Sequence, residues 1–567
     1  MATGVTLGST YLEAAQRSLL THGDRTAMTF LPDGDLERRD SFTFGELEET
    51  ARTIAADLQA AGVGAGDRVM LLQLPGRHMV AGFLGCVYAN AIAVPAYPPN
   101  PFLGERGNER LAGIRRDAGA TAVLTTSELL PLVQFSDDES RGLAWVLTDK
   151  PSASAEDYSS VEASPEDVAF LQYTSGSTSA PRGVRVTHRA LMANVEMIVE
   201  SSDFTDATVV CSWLPPFHDM GLISANLTPV VTGAHAVQMP PYEFLRRPER
   251  WLRAITHFRA TYCWAPNFAY DLCVRRVKNL EELDLSSMRT MGSGAEPVRH
   301  KTMTAFRDKF VACGLKPEVL WVGYGLAEAT LYVTVNRRGP VSTIHIDPDQ
   351  LAEGRLALTS AELGRPLVSC GLPAPGSHVR ICDPETDEPV EDGVVGEIRV
   401  SGAHVCDGYW GNPELSAEVF AEGELHTGDL GALWEGELFV TGRIKDLLIV
   451  RGRNHYPQDL EQTMESADAN LRPGCGVAVA VPSETGELLV LIQELRAEST
   501  EDPEVIVEKI LRQVAEQHGI TADAIVLVEP RTIPKTTSGK LRRSAAAAAF
   551  QAGTLKAVHE WSAAARG

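Results

Sequence analysis

Short apolar runs alternate with helical patterns over the first three-fifths of the sequence. RVMLLQLPG (68–76) predicts a strand, MVAGFLGCVYAN (79–90) a helix, and AIAVPAY (91–97) the next strand. Apolar runs of about four to eight residues separated by helices favour parallel sheets that are covered on both faces. We therefore predict an α/β fold with a large domain of fused βαβ sub-domains. Further strands are predicted at 121–126, 167–174, 208–215, 260–266 and 319–325.

The pattern changes twice in the rest of the chain. Residues 377–402 alternate apolar and polar positions between Asp, Pro and Gly turns, which predicts a small antiparallel barrel or sheet. After a second break, three apolar runs and an amphipathic helix over 503–518 indicate a compact α+β unit. We assign an N-terminal domain to residues 1–444, with a β-rich sub-domain at about 364–440 and an exposed linker at 150–166, and a small mobile C-terminal domain to residues 445–567.

The charge of the chain argues against nucleic acid as a partner. It carries 51 Lys and Arg against 75 Asp and Glu, a formal net charge of −24, whereas neutralising a nucleic-acid backbone requires a surplus of cations. The sequence shows neither a signal-peptide pattern nor an apolar run of about 18 residues, so we expect a cytoplasmic monomer without stable membrane insertion. Nine cysteines without a C-x-x-C pair indicate buried free thiols rather than disulfides or a zinc site.

The sharpest chemical signal lies between two apolar strands, over Tyr173–Gly183. Its consecutive small residues leave backbone amides free to converge on an anion, and Arg182 can make charge-assisted contacts with a phosphate. It is not a Walker A loop, because no Gly-Lys-Ser/Thr follows Gly176 at the required spacing. Alone, the segment predicts a phosphate-binding loop, with a flexible linker as the alternative. The small residues are Thr174, Ser175, Gly176, Ser177 and Thr178.

Five further segments combine glycine with charged or aromatic residues. The first two end predicted strands, where open α/β sheets bind ligands. Each single residue has an ordinary alternative: a packed histidine for His218, a turn former for Asp429 and a helix-start acid for Glu328. Their occurrence together is what favours a function. The segments are SWLPPFHDMG (212–221), GYGLAE (323–328), HTGDLG (426–431), TGRIKD (441–446) and PKTTSGK (534–540).

Taken together and in this order, the segments resemble the adenylate-forming superfamily of acyl-CoA synthetases, peptide-synthetase adenylation domains and luciferases. The resemblance covers nearly the whole chain, and it is narrower for the fatty acyl-AMP ligases. The narrower resemblance rests on WLPPFHDMGLI (213–223), YGLAEATLYVT (324–334), LVSCGLP (367–373) and GRIKDLLIVRGRNHYPQDLE (442–461).

The resemblance implies a reaction in which a fatty acid carboxylate attacks the α-phosphate of ATP, giving acyl-AMP and pyrophosphate. Two anions must meet, so charge compensation and alignment are the main requirements. The implied catalytic residues are Lys540, which closes from the small domain, and Arg182, which stands where many relatives carry Lys. Glu328 would coordinate Mg²⁺. No general base is needed, because the attacking carboxylate is already ionised at neutral pH.

The resemblance also implies binding roles. Tyr324 would stack on adenine, Asp429 would accept hydrogen bonds from the ribose hydroxyls, and Arg443 would donate to ribose or phosphate. The implied nucleotide-binding residues are Thr174, Ser175, Gly176, Ser177, Thr178, Gly294, Ala295, Tyr324, Gly325, Asp429 and Arg443. The implied acyl pocket contains His218, Asp219, Met220 and Gly221, and the implied hinge is Lys445 and Asp446.

The thiol that accepts the acyl group is left open between coenzyme A and the phosphopantetheine arm of an acyl carrier protein. A polar segment at about 335–362 looks like the insertion that is associated with poor use of free coenzyme A in fatty acyl-AMP ligases, and the alternative is a variable surface loop. Five cations without an acid within 531–543 would suit an acidic carrier protein, and they could equally serve ATP alone. We therefore expect transfer to a carrier protein, in polyketide- or lipopeptide-type biosynthesis. The alternatives are an acyl-CoA synthetase and, in another class, a non-catalytic nucleotide- or lipid-binding protein.

Overall fold

The computed structural model of the chain describes residues 7–98, 104–173, 181–337, 339–450, 453–483, 486–536 and 540–563. The strands before residue 338 are β1 Thr26–Phe30, β2 Asp40–Thr43, β3 Arg68–Leu71, β4 Ile92–Pro95, β5 Ala122–Thr125, β6 Ala144–Leu147, β7 Val168–Tyr173, β8 Gly183–Thr187, β9 Val209–Ser212, β10 His235–Gln238, β11 Tyr262–Ala265, β12 Thr290–Ser293, β13 Leu320–Tyr324 and β14 Thr334–Val335. The helices are α1 Tyr11–Thr21, α2 Phe44–Ala60, α3 Arg77–Tyr88, α4 Gly104–Ala118, α5 Asp137–Ser140, α6 His188–Ser202, α7 Thr228–Thr232, α8 Pro241–Arg246, α9 Glu249–Phe258, α10 Asn267–Arg276 and α11 His300–Phe310.

The later strands are β15 Thr343–Ile346, β16 Arg365–Val368, β17 Leu372–Pro373, β18 His378–Cys382, β19 Gly396–Ser401, β20 Leu425–Trp434, β21 Glu437–Arg443, β22 Leu448–Val450, β23 Arg453–His455, β24 Leu471–Ser483, β25 Gly486–Leu495, β26 Ala524–Val528 and β27 Ala557–Ser562. The later helices are α12 Pro348–Ala352, α13 Pro413–Val419, α14 Pro457–Ser466, α15 Pro503–His518 and α16 Arg543–Gln551.

Two sheets form the large α/β part of the molecule. Their strand orders are β6-β5-β3-β4-β7-β8 and β17-β14-β13-β12-β11-β9-β10-β1-β2. The inner strands pair in parallel, which confirms the prediction from the apolar runs. Strands β2, β8, β14 and β17, at or next to sheet edges, are antiparallel to their neighbours, a feature that the runs do not predict, whereas the edge strand β6 is parallel to β5.

The six-stranded sheet is covered on both faces. Val69 and Leu71 belong to a core that the sheet shares with the nine-stranded sheet, whereas Met70 and Leu72 pack with residues of α4. Because successive side chains of a strand point to opposite faces, a strand buried on both faces must be apolar throughout. This burial explains the continuous apolar run that begins at Val69.

Strands β18 to β21 form an antiparallel sheet, as the alternating pattern of residues 377–402 predicts. Beside it, β15 and β16 make a separate antiparallel pair. Ile346 and Leu351 of this region share a small core with Phe439 of β21 and with Tyr456, which precedes α14. The segment that resembles an insertion is therefore packed against the residues that lead into the last domain.

The last part of the chain is a four-stranded sheet, β24-β25-β26-β27, with helices on both faces. Leu460 of α14 and Ile510 of α15 pack on one face, and Ala546 of α16 packs on the other. The amphipathic pattern over 503–518 is thus confirmed as α15, whose bounds are the same.

Other features of the sequence have structural counterparts. The 150–166 segment is largely exposed, as predicted, but it is also anchored. The buried Asp57 carboxylate accepts hydrogen bonds from the Ser152 hydroxyl at 2.6 Å and from the Ala153 amide at 2.8 Å.

All nine cysteines are free, and all but Cys370 are buried. In the described part of the chain, no helix is long and apolar enough to cross a membrane.

Candidate active site

One cluster of polar side chains lies where β13 ends next to the antiparallel sheet. The Tyr324 hydroxyl donates to Asp429 Oδ2 at 2.8 Å, and Arg443 Nε donates to Asp429 Oδ1 at 2.5 Å. Burial and the neighbouring Asp429 raise the pKa of Tyr324 well above its usual value, so the phenol stays protonated and can donate. The Asp429 carboxylate raises the pKa of Arg443. We call these three residues the Tyr324–Asp429–Arg443 cluster.

Strand pairing places two members of this cluster side by side. Asp429 of β20 is the register partner of Arg443 in β21. Before Asp429, Gly428 has φ +68°, and its amide donates to Glu397 Oε1 at 2.8 Å. Glycine adopts this left-handed backbone at no steric cost. This left-handed glycine, at an irregular stretch of β20, therefore presents the carboxylate toward Tyr324.

Glu328 lies in a short turn four residues beyond Tyr324. Its Oε1 accepts a hydrogen bond from the Tyr409 hydroxyl at 2.8 Å, and its carbonyl accepts one from the Cys406 amide at 3.0 Å. Burial raises the pKa of Glu328, and the Tyr409 hydroxyl opposes that rise. Charge from Asp429 and Arg443 also reaches Glu328, so this carboxylate adjoins the cluster.

Tyr409 was not predicted from the sequence. It bridges Glu328 to the strand that follows the predicted phosphate loop, because Val184 of β8 pairs with Tyr409. Burial raises the pKa of Tyr409, and the positive charge of Arg182 opposes that rise. Arg182 and Glu328 are thus brought to one place. An aromatic pair between glycines, Gly408-Tyr-Trp-Gly411, was the signal available in the sequence.

Close backbone approaches shape the slot beside Tyr324. A Cβ at Gly325 would lie 1.7 Å from the Leu331 carbonyl oxygen, so only glycine fits there. A Cβ at Gly294 would lie 3.0 Å from the Gly323 carbonyl oxygen, and Ala295 has φ +67°. The ends of β12 and β13 are neighbours in the sheet. Gly294 and Ala295 therefore directly follow β12, the strand that neighbours the one ending at Tyr324.

His218 and Asp219 lie in the loop between β9 and a π-helical turn, Met220–Leu227. Asp219 Oδ1 accepts a hydrogen bond from the Met220 amide at 2.7 Å. A Cβ at Gly221 would lie 2.2 Å from the Pro215 carbonyl oxygen, which explains the glycine. Burial, with the positive charges of Lys540 and Arg110, lowers the pKa of His218 to about 3. This imidazole is therefore neutral at physiological pH.

Lys540 reaches this loop from the last domain. Its backbone closes a small hairpin, because the Thr536 amide donates to the Lys540 carbonyl at 2.8 Å and the Lys540 amide donates to Thr536 Oγ1 at 3.0 Å. Burial raises the pKa of Asp219 and of Glu296, and the charge of Lys540 opposes both rises. Glu296, which accepts the Phe268 amide at 2.7 Å, was not predicted as a site residue. Its electrostatic interaction with Lys540 depends on the tertiary fold and has no signal in the sequence.

The remaining predicted residues have separate outcomes. The loop Thr174–Thr178 lies outside the described residues. Lys445 and Asp446 end the turn Ile444–Asp446, between β21 and β22. Asp446 accepts from Arg543 Nη1 of α16 at 2.9 Å, and Arg543 also contacts Glu461 of α14. Asp446 is thus tied to the elements that follow it.

A metal site made only of protein side chains does not occur in the described ranges: no three or more His, Cys, Asp or Glu residues are grouped to hold an ion. Glu328 is a single half-buried carboxylate, and one of its oxygens accepts a hydrogen bond. Mg²⁺ is commonly held by one or two carboxylates together with water and substrate phosphates. The donor set thus fits a Mg²⁺ ion that arrives with a nucleotide.

Comparison with known proteins agrees with this geometry. Residues 15–410 match the family described as AMP-binding enzyme, and residues 445–560 match the AMP domain of Disco-interacting protein 2-like proteins. The chain is 38% identical to the medium-chain-fatty-acid–[acyl-carrier-protein] ligase JamA of Moorena producens, with 96% of each chain covered.

Two solved structures are similar over almost the whole chain. One comes from work on fatty acyl-adenylate ligases of E. coli and L. pneumophila, with a TM-score of 0.87, 34% identity, and 96% of this chain and 98% of that chain covered. The other is the L. pneumophila fatty acyl-adenylate ligase in complex with acyl adenylate and pyrophosphate, with a TM-score of 0.75, 36% identity and 98% of each chain covered. The chain therefore belongs to the AMP-binding enzyme family and, within it, to the fatty acyl-AMP ligases.

Proposed function

We propose that this protein activates a fatty acid with ATP, releases pyrophosphate, and transfers the acyl group from acyl-AMP to the phosphopantetheine thiol of an acyl carrier protein. The observation that carries the proposal is the meeting of two domains at one site. Lys540 of the last domain lies close enough to His218 and Asp219 to shift the pKa of both. The named activity of JamA and the ligands of the L. pneumophila enzyme agree with it.

The first step requires a carboxylate and a triphosphate to approach each other. Asp429 and Arg443 would hold the ribose, with the Tyr324 ring against adenine. Asp429 can do so although both oxygens already accept a hydrogen bond, because each carboxylate oxygen offers two lone pairs. Arg182 and the 174–178 loop would hold the β- and γ-phosphates. Lys540 would bridge the attacking carboxylate and the α-phosphate, where negative charge must be compensated.

Glu328 would hold Mg²⁺ next to the phosphates. The ion would neutralise phosphate charge when it is bound. Tyr409 donates a hydrogen bond to one oxygen of Glu328, and burial raises the pKa of this carboxyl by disfavouring its charged form. A bound cation would therefore lower that pKa and favour the ionised form.

His218 would line the acyl end of the pocket without acting as a base. Its pKa of about 3 means that it stays neutral during turnover. The fatty acid carboxylate is ionised at neutral pH and needs no proton acceptor. A neutral imidazole can still bond to the substrate, so we assign His218 a positioning role.

The segment at about 335–362 supports a carrier protein over coenzyme A as acceptor. Its residues share a core with Tyr456, and Asp349 accepts from Arg453 Nη1 at 3.1 Å. These contacts reach the start of the last domain, which would have to rotate about Lys445 and Asp446 before a thiol enters. The segment is thus placed to influence that rotation, and this would agree with the poor use of free coenzyme A that the resemblance to the ligase insertion implies.

The proposal is tested by pyrophosphate release and hydroxylamine trapping across a panel of fatty acids, followed by a contest between coenzyme A and carrier proteins. We expect trapped hydroxamate and transfer to a carrier protein in preference to free coenzyme A. Equal or faster transfer to coenzyme A would make the protein an acyl-CoA synthetase. No trapping with any fatty acid would overturn the proposed activity and favour a binding protein.

A further inference from the structure

A chain of polar contacts connects the large domain to the hairpin that carries Lys540. It begins at Arg299, five residues after Gly294, and passes through Glu465 and Gly474 to Lys535. None of these residues belongs to the binding groups assigned above. The contacts matter because Lys540 is the one proposed catalytic group that depends on a second domain for its position.

The large-domain end of the chain is fixed by its own hydrogen bonds. The Arg299 amide donates to Asn267 Oδ1 at 3.0 Å, and the Phe268 amide donates to Glu296 Oε1 at 2.7 Å. These two bonds fasten the segment from Glu296 to Arg299 onto the start of α10. Arg299 therefore presents its guanidinium from a rigid support beside the proposed acyl pocket.

Glu465 of α14 uses each carboxylate oxygen for a different domain. Oε2 accepts from Arg299 Nη1 at 3.4 Å, and Oε1 accepts from the Gly474 amide at 2.6 Å. The Glu465 side chain is 7% exposed. A buried carboxylate that loses one charged partner keeps its desolvation cost without compensation, so both bonds constrain its position.

The backbone of Gly474 connects Glu465 to the hairpin. It lies where the pairing of β24 with β25 is irregular, between Leu471 and Gly476, and it has φ +67°. Its carbonyl accepts from Lys535 Nζ at 2.6 Å. This irregularity allows one peptide segment to bond Glu465 through its amide and Lys535 through its carbonyl.

Lys535 stands at the base of the Lys540 hairpin. It pairs with Leu541 across the hairpin, and the Arg542 amide donates to the Pro534 carbonyl at 2.9 Å. The positive charges of Lys540, Arg299 and Lys535 all oppose the rise that burial causes in the pKa of Glu296. The two ends of the contact chain therefore act electrostatically on the same carboxylate of the large domain.

We propose that Glu465 is a positioning residue for adenylation: through Arg299, Gly474 and Lys535 it holds the Lys540 hairpin in the orientation that serves the first half-reaction. The contact exists only while the two domains are closed in this way. It must break when the last domain turns to admit the thiol. Glu465 should therefore matter for acyl-AMP formation and not for transfer. This inference rests on the proposed function.

The test compares the two half-reactions in Glu465→Gln, Arg299→Ala and the double variant. Adenylation is followed by pyrophosphate release with saturating ATP and fatty acid, and transfer by reaction of added acyl-AMP with a carrier protein. We expect each single variant to lower the adenylation kcat about tenfold, with an unchanged KM for ATP and transfer within about twofold of wild type. The double variant should be no slower than the worse single variant, because both remove one connection.

Arg259→Ala is the matched control, since Arg259 pairs with Asp284 at 3.3 Å on the surface of the large domain. It should change neither half-reaction. Adenylation at the wild-type rate in both single variants, an equal fall of both half-reactions, or additive losses would each overturn the positioning role. Arg299→Ala leaves the Glu465–Gly474 bond in place, so it remains informative if Glu465→Gln lowers the melting temperature. A wild-type protein that releases no pyrophosphate would instead refute the proposed function.

Discussion

The proposed adenosine end and the proposed carboxylate end of the site are held in different ways. At the adenosine end, Tyr324, Asp429 and Arg443 all belong to the large domain and are joined by bonds of 2.8 and 2.5 Å. At the carboxylate end, Lys540 comes from the last domain and is exposed. Its orientation depends on contacts such as that between Arg299 and Glu465, at 3.4 Å.

This difference indicates that nucleotide binding and chemistry can be separated. Groups that are already fixed by their neighbours lose little entropy when a ligand binds, so they contribute mainly to affinity. A charge that arrives only with domain closure contributes mainly to the rate, because it is not in place in every conformation. Variants at the two ends should therefore change different kinetic constants.

The largest effect on the kinetics is expected at the carboxylate end. Lys540→Ala should lower the kcat of adenylation about 10²- to 10³-fold, because it removes the cation proposed to compensate charge in the transition state. The KM for ATP should change little. Pyrophosphate release measures both constants, and Lys556→Ala, at another exposed lysine of the same domain, is the control. Equal rates in the two variants would remove Lys540 from the mechanism.

The next largest effect on the kinetics is expected at the adenosine end. Asp429→Asn removes the charge that pairs with Arg443, and it should raise the KM for ATP about 10- to 100-fold, with a smaller change in kcat. Steady-state kinetics with varied ATP measures this, and Asp284→Asn, in a surface ion pair, controls for loss of a carboxylate. A fall in kcat at unchanged KM would show that Asp429, like Lys540, contributes to the rate rather than to ATP binding.

Tyr324→Phe should change the KM for ATP less than Asp429→Asn does. It removes the hydroxyl that bonds Asp429 but keeps the ring, so the KM for ATP should rise only about fivefold. Tyr324→Ala removes the ring as well and should bind ATP more weakly than the Phe variant. If the Phe and Ala variants are equally impaired, the hydroxyl rather than adenine stacking is the main contribution of Tyr324.

The smallest kinetic effect is expected from the proton of His218. Since the pKa of His218 is lowered to about 3, His218→Gln should leave the shape of the kcat profile unchanged between about pH 6 and pH 8. A pH-dependent limb that disappears in the variant would show that His218 titrates during turnover.

The same pKa shift has a consequence for stability. A histidine with a lowered pKa in the folded state stabilises the protein above its unfolded pKa of about 6.5, and that stability is lost as the pH falls toward 3. The melting temperature of His218→Gln should therefore fall less than that of wild type between pH 7 and pH 5. Parallel melting curves would show that His218 does not contribute to the acid sensitivity.

Much of the fold was predictable because local sequence determines it. Strands buried on both faces must be continuously apolar, as at Val69 to Leu72, and α15 shows its boundaries through Pro503 and Gly519 at its ends. The antiparallel edges were not predictable, since an apolar run does not reveal the direction of its neighbour. The anchoring of the 150–166 segment by Asp57 was missed for a different reason, because Ser152 and Asp57 are 95 residues apart in the sequence.

The site was predictable where its residues belong to short motifs that combine glycine with charged or aromatic residues. Tyr324 and Asp429 were found in this way, and the structure brings them together. Tyr409 and Glu296 were missed, because their roles depend on partners, Glu328 and Lys540, that lie far away in sequence. Glu465 is similar: it occupies an ordinary position in an amphipathic helix, and only its contact with Arg299 indicates a function.

Equilibrium binding of ATP with Mg²⁺, measured by titration calorimetry without fatty acid, tests the division between the two ends most directly. Lys540→Ala should bind ATP with a Kd within about threefold of wild type, and Asp429→Asn should bind it at least about tenfold more weakly. Loss of binding in Lys540→Ala that parallels its loss of turnover would contradict the division. It would mean that the last domain is part of the nucleotide site itself.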